Sequence, residues 1–157
     1  MVAYSYKRRF VAPIRAGLGL SMLAEDFSER MDQFGNVSQP RPKLQTIRAE
    51  RKRHARPGEE IQHYCGMRTK HCFLIGRARC TEVRDIVLTF GKFSGISIGG
   101  TSTSDGHQRV THIGGNSLDD FARNDGFDNW SEMVRFWEET HDTLECFVGV
   151  LIEWKPL

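Results

Sequence analysis

Hydrophobic and polar positions along this chain change rhythm twice, and the changes divide it into elements. Ala3-Tyr4-Ser5-Tyr6 alternates and reads as a first short strand. Residues 9–16 carry Phe10 and Ile14 at helical spacing, with Pro13 tolerated near the start and Gly17 as a stop. Gln45–Arg48 reads as a strand with Thr46 and Arg48 on one face and Ile47 turned to the core. Pro57-Gly58-Glu59-Glu60 is a turn into a strand over 61–65. Residues 73–83 form a longer strand in which Gly76 marks a bulge, and 86–90 form another. Ser104-Asp105-Gly106 is a hairpin signal between Ile96/Ile98 and Val110/Ile113.

The last third turns helical. Ser117-Leu118-Asp119-Asp120 resembles a capping box and opens a short helix to about Asn124. Asn129-Trp130-Ser131-Glu132 opens a second, to about His141, with Met133, Phe136 and Trp137 on one face. Residues 144–154 are almost continuously apolar and read as a central strand. Five or six strands with peripheral helices and no long crossover helices predict an α+β fold. A small mixed β-barrel or curled sheet fits better than a βαβ array.

Residues 18–41 stand apart as an inserted helical segment in an otherwise single domain spanning 1–157. Leu23, Phe27, Met31 and Phe34 fall at i, i+4, i+8 and i+11, the stripe of an amphipathic helix expected to pack on the domain, with a partner-binding or dimer helix as the alternative.

Composition is ordinary for a globular domain, with 39% hydrophobic and 27% charged residues. No apolar run approaches the roughly 20 residues of a membrane span. The N-terminal stretch lacks the apolar core of a signal peptide, so a cytoplasmic location with no membrane partner is expected. The four cysteines, Cys65, Cys72, Cys80 and Cys146, show no C-x-x-C pairing, and the His63, Cys65, His71, Cys72 group matches no common zinc spacing. Neither a metal nor a cofactor is expected. The Gly99-Gly100 and Gly114-Gly115 pairs do not lead from a strand into a helix and read as turns, not as a nucleotide loop.

Net charge is only +2, yet it is unevenly spread. Residues 117–145 hold nine acids and two arginines, whereas residues 41–56 hold seven Lys or Arg and one acid, Glu50. The basic run is either a solvated face or a site for a phosphate-bearing partner, a nucleoside or RNA, through Arg48, Arg51, Lys52, Arg53 and Arg56. It also places Lys43, Thr46 and Arg48 close together. On a regular strand Lys43 and Thr46, at i and i+3, face opposite ways, so a joint site requires a turn at Leu44-Gln45 with Lys43 on the approaching loop. Without that turn Lys43 is a surface lysine and Thr46 an ordinary strand residue.

Lys43-Leu44-Gln45-Thr46-Ile47-Arg48 resembles the K-x-x-T-I-R core of the ASCH domain, a barrel similar to the PUA domain of RNA-modifying enzymes. Residues 9–17 resemble the helix and glycine that lead into that core. Pro57-Gly58-Glu59-Glu60-Ile61 resembles its following turn. Asp125-Gly126-Phe127, with Trp130 to Trp137 behind it, resembles its [DE]-G-F helical segment. Two positions depart from the pattern. Arg41 stands where the family has glycine, and Asp125 stands where a longer Glu is usual.

The resemblance implies a pocket for a nucleoside or RNA, and in the amidohydrolase members hydrolysis of N4-acylated cytidines such as N4-acetylcytidine. Carried over by position, Thr46 is the nucleophile, Lys43 the base and Asp125 the proton donor, with no cofactor. The chemistry is consistent with the residue types. A threonine hydroxyl needs a base, and a lysine serves as one when burial or nearby cations such as Arg48 and Arg51 lower its pKa. A carboxyl against an apolar wall, Trp130 or Phe127, retains its proton, and Arg48 can hold an oxyanion or a phosphate. The alternatives are a non-catalytic RNA-binding module and a ribonuclease using His54. The insertion, which ends at the motif, is expected to roof the pocket.

Overall fold

The structure is a computed structural model that describes residues 1–102, 108–141 and 145–157. It is a mixed α+β fold built on one seven-stranded sheet. β1 (Val2–Tyr6) leads through a short 3-10 turn into helix α1 (Val11–Gly17). Helix α2 (Ala24–Glu29) lies in the insertion, and β2 (Gln45–Arg48) follows it. β3 (Glu60–Cys65), β4 (Phe73–Thr89), β5 (Gly95–Ser102) and β6 (Gln108–Ile113) are joined antiparallel in sequence order. Helices α3 (Ser117–Asn124) and α4 (Trp130–Thr140) precede the last strand, β7 (Cys146–Pro156).

β7 is central, as its apolar run predicts: β4 pairs with one edge and β2 with the other. Val150, Leu151, Ile152 and Trp154 of β7 are buried with Ile61, Ile75, Ile86 and Leu88 of β3 and β4. Val11 and Ile14 of α1, Phe121 of α3, and Met133 and Trp137 of α4 complete the same core. Each fully buried Leu, Ile or Met contributes roughly 1.5–3 kcal/mol relative to exposure, so this cluster is the main force holding the sheet and helices together.

The expected barrel is not closed. β1 pairs only with β3, in parallel, and β2 only with β7, so no ladder joins β1 to β2. The Arg48 guanidinium bridges that seam instead, donating from Nη2 to the Ser5 carbonyl at 2.9 Å. The seam is occupied by a cavity lined from β1 by Ser5 and Tyr6 and from β2 by Thr46, Ile47 and Arg48. Side chains that enclose a hole hold these strands together, and backbone pairing is what the hole displaces.

Other expectations divide. The bulge at Gly76 is present: the β3–β4 register slips between His63 and Tyr64, which face Gly76 and Leu74. The two strands expected over 73–90 are a single strand, because Arg84 and Asp85 supply no turn and continue pairing with β7. Asn129 caps α4 through its side-chain oxygen, which accepts from the Glu132 amide at 2.9 Å. Ser117 is already inside α3 and caps nothing; Asn116 precedes it without a side-chain cap bond. The tip of the β5–β6 hairpin, including Ser104-Asp105-Gly106, and residue 144 lie outside the described residues.

The insertion differs most. Its helix is six residues long, and Phe27, Met31 and Phe34 are exposed. The buried residue of α2 is the charged Asp26, which accepts from Arg8 Nη1 at 2.7 Å. An ion pair to β1's following turn anchors the segment where the apolar stripe was expected to. Phe34 sits in a tight turn in which Asp32 Oδ1 accepts from the Phe34 and Asn36 amides, so the helical period stops short of it. Among the described residues, no helix is long and apolar enough to cross a membrane.

Candidate active site

The site is assembled from three chain segments that close around Lys43. Lys43 lies just before β2, on the approaching loop, as the i, i+3 geometry required. Its amide donates to the Pro13 carbonyl of α1 at 2.9 Å, and the Leu44 amide donates to the Asn124 carbonyl of α3 at 3.0 Å. The Leu44 carbonyl accepts from the Trp154 amide at 3.0 Å. Every backbone partner of this loop belongs to a different element, so α1, α3 and β7 fix its path jointly.

Two glycines make room for it. A Cβ on Gly17 would stand 2.3 Å from the Lys43 carbonyl oxygen, a contact backbone cannot relieve. Gly126 has φ +87° and a virtual Cβ 3.2 Å from the Lys43 Cβ. Gly17, 26 positions before Lys43 in the chain, thus meets it directly in space. The whole insertion is looped out between a glycine and the lysine it faces.

Asp125 owes its position to the end of α3. The Phe127 amide donates to the Ala122 carbonyl and the Gly126 amide to the Arg123 carbonyl, both at 3.0 Å. This is a Schellman ending, with Gly126 supplying the left-handed residue and Phe127 the hydrophobe beyond it. Phe127 is buried edge-on against Phe10. Asp125 is therefore the C-cap, and its side chain is held by the turn that Gly126 and Phe127 enforce.

Lys43 and Asp125, 82 positions apart, meet. Lys43 Nζ donates to Asp125 Oδ1 at 2.7 Å and to the Asp125 carbonyl at 2.6 Å. Their side chains are 2% and 7% exposed, so the shorter carboxylate does reach, and does so in the dry interior. The carbonyl is one of the unpaired acceptors of a helix C-terminus, where a cation is favoured. The ammonium also stands 4.8 Å from the centre of the Phe10 ring.

Burial dominates the electrostatics. Loss of solvent lowers the Lys43 pKa to about 8, against the opposing pull of Asp125 and with help from Arg48 and Arg9. Loss of solvent likewise raises Asp125, against Lys43 and Arg48. Burial thus shifts both partners toward their neutral forms.

Thr46 and Arg48 complete the floor of the seam cavity, which has a volume of about 530 Å³, within the ordinary range for small-molecule sites. Phe10, Phe136, Trp137 and Phe147 form its apolar wall. Arg48 stacks over Tyr6, its guanidinium 4.6 Å from the ring centre. Tyr6 is raised to about 12 by burial, while the charge of Arg48 pulls the other way. Its hydroxyl shares a 2.9 Å hydrogen bond with His63 Nδ1. His63 is fully buried, and burial with the charges of Lys43 and Arg48 lowers its pKa to about 3. A neutral imidazole thus fixes a neutral phenol beside Thr46 and Arg48.

The remaining expected residues lie elsewhere. Arg51 covers Tyr4 in an adjoining cavity, Arg53 pairs with Glu59, and Arg56 is exposed with its amide bonded to Glu59. His54 shares a 3.3 Å hydrogen bond with Tyr4 and does not line the seam cavity. Trp130 stacks on Phe90 and is not among the cavity's lining residues; Phe10, Phe136 and Trp137 form the wall assigned to it. The insertion contributes nothing to the lining, so it does not roof the pocket; α4 does, through Phe136, Trp137 and Thr140. Tyr6 and His63 were missed, since single aromatic and imidazole side chains in strands carry no sequence signature. Among the described residues no group of three His, Cys, Asp or Glu is placed to hold a metal. Comparison with family models, curated proteins and solved structures finds no match.

Proposed function

We propose that this chain is an ASCH-like, PUA-like protein that binds a nucleoside in the seam cavity and hydrolyses the amide of an N4-acylated cytidine. The observation that carries this reading is the buried Lys43–Asp125 contact at 2.7 Å on the floor of a cavity also lined by Thr46 and Arg48. A buried lysine that lines a cavity is a candidate base, because burial lowers its pKa. The aromatic wall fits a planar base, and the same cavity is lined by Lys43, Thr46, Arg48 and Asp125.

Lys43 in its neutral form takes the Thr46 hydroxyl proton as Oγ attacks the acyl carbon, and Arg48 faces the oxyanion that forms. The proton on Lys43 then crosses the 2.7 Å bond to Asp125. From there it goes to N4 as the carbon–nitrogen bond breaks and the cytidine leaves. Water attacks the acyl-Thr46 ester, giving one proton to the Lys43–Asp125 pair, which returns it to Thr46 Oγ as the carboxylic acid departs. Each half-reaction moves one proton through the pair and leaves it as it began.

Release of cytidine from N4-acetylcytidine by the wild-type protein, abolished in both Lys43→Ala and Thr46→Ala, supports this reading. Wild-type protein that leaves N4-acetylcytidine intact but binds RNA in a salt-sensitive manner identifies a non-catalytic RNA-binding module instead.

A further inference from the structure

A second cavity of about 430 Å³ adjoins the seam cavity. Ser5, Arg48 and Ala49 form a wall common to both. The second cavity adds Tyr4, Arg51, Met67 and Arg68, and no acidic residue lines it. Three arginines therefore converge on one concavity. Elsewhere Arg8, Arg9, Arg53, Arg77, Arg84 and Arg123 each pair with a carboxylate within 3.6 Å, while others, such as Arg15 and Arg79, bond backbone carbonyls instead. Among the described residues, Arg48, Arg51 and Arg68 have no carboxylate partner.

One of the three is positioned at a cost and another by a ring contact. Arg68 has φ +71°, the one residue other than glycine in the left-handed region among those described. A bulky side chain there is strained, and such strain clusters where a side chain must be aimed. Its loop is tied to β1 by Met67, whose amide donates to Ser5 Oγ at 3.0 Å, and by Gly66, whose amide donates to the Tyr6 carbonyl at 3.2 Å. Arg51 lies with its guanidinium 4.5 Å from the centre of the Tyr4 ring, and Arg48 approaches the same ring at 5.5 Å. Stacked guanidinium planes leave their N–H edges free for a bidentate acceptor.

We propose that Arg51 and Arg68, with Arg48 at the junction, hold a phosphate on the sugar of the nucleoside bound in the seam cavity, so that the ligand is a nucleotide or a nucleotide within RNA rather than a free nucleoside. The proposal rests on the reading of the seam cavity as a nucleoside site and adds the group that distinguishes ligands there. A base-sized aromatic cavity beside an acid-free basic cavity, with Arg48 lining both, matches a base and the phosphate on its sugar. Arg53 and Arg56 take no part, because neither lines either cavity, and the Arg53 guanidinium is already paired with Glu59.

The test is equilibrium binding to the full-length Thr46→Ala protein, which cannot turn substrate over. The ligands are N4-acetylcytidine, its 5′-monophosphate, and a short RNA with one N4-acetylcytidine. The phosphorylated forms are expected to bind about tenfold or more tightly than the nucleoside at low salt, with the advantage shrinking as salt rises. Arg51→Gln and Arg68→Gln, both at exposed positions, erase that advantage while leaving nucleoside affinity unchanged. If the monophosphate gains as much as the RNA, a single nucleotide is the ligand; if only the RNA gains, the phosphate belongs to a strand. Equal binding of nucleoside and both phosphorylated forms overturns this proposal and leaves the nucleoside site intact. Absence of binding by all three overturns both.

Discussion

Removing one partner of the Lys43–Asp125 pair leaves the other charge stranded. Both side chains are nearly inaccessible, and Nζ makes two of its hydrogen bonds to Asp125. Breaking such a pair from one side costs about 3–5 kcal/mol, whereas replacing both partners by apolar groups of similar volume is close to neutral or stabilising. Lys43→Met and Asp125→Leu are each expected to lose that amount. For a domain of this length roughly 2–4 °C of Tm accompanies each kcal/mol, so each single variant melts about 10 °C lower. The double variant recovers most of the loss, giving a coupling energy of several kcal/mol. Urea denaturation of all four proteins, with m-values compared, measures it. Single variants that each lose under about 1 kcal/mol, or a double variant that loses the sum of the two, refute the claim that the pair is dry and mutually dependent.

Further outcomes follow from the same contacts. Because Lys43 must be neutral to act and its pKa is about 8, kcat/KM should rise with pH up to about 8 and then level. Asp125→Asn shifts that limb to lower pH, since Asp125 is what holds the lysine up; an unmoved limb removes Lys43 from the titration. A lysine lowered in the fold binds fewer protons there than in the unfolded chain. Its contribution to stability therefore grows as pH rises from about 8 toward 10, and Lys43→Met should flatten a pH series of melting curves in that window. Gly17→Ala drives a methyl into the Lys43 carbonyl and should cost about 1–3 kcal/mol together with activity, read by melting and turnover. Replacing residues 20–39 by a short flexible link should leave ligand selectivity unchanged, because none of them lines the cavity, and changed selectivity counts against the assignment of α4 as the roof.

The legible part of the fold was the part written in local rules. Asn129 capping α4, the Gly76 bulge and the apolar run of β7 each needed only neighbouring residues. The place of Lys43 on the loop ahead of β2 was also legible from a strand's period of two, but the turn expected at Leu44-Gln45 is not present: Gln45 already pairs with β7 and the Leu44 carbonyl accepts from Trp154. The insertion misled for the opposite reason. Leu23, Phe27, Met31 and Phe34 keep helical spacing, yet a buried Asp26–Arg8 pair decides which side of α2 faces inward, and periodicity cannot register a long-range ion pair. The open seam was illegible as well. Closure of a barrel depends on whether β1 and β2 meet, and here a cavity and Arg48 separate them. Arg51, Arg53 and Arg56 looked equivalent in a basic run; only the positions of Glu59 and Tyr4 tell them apart.

The central claim is that Thr46 is the nucleophile served by the Lys43–Asp125 pair. Rapid acid quench of the protein during turnover of N4-acetylcytidine, followed by peptide mass spectrometry, tests it most directly. The account predicts an acetyl group on the peptide bearing Thr46, accumulating when the water step is slow and absent in Lys43→Ala. Turnover retained by Thr46→Ala, with no acyl-protein at any time, contradicts it.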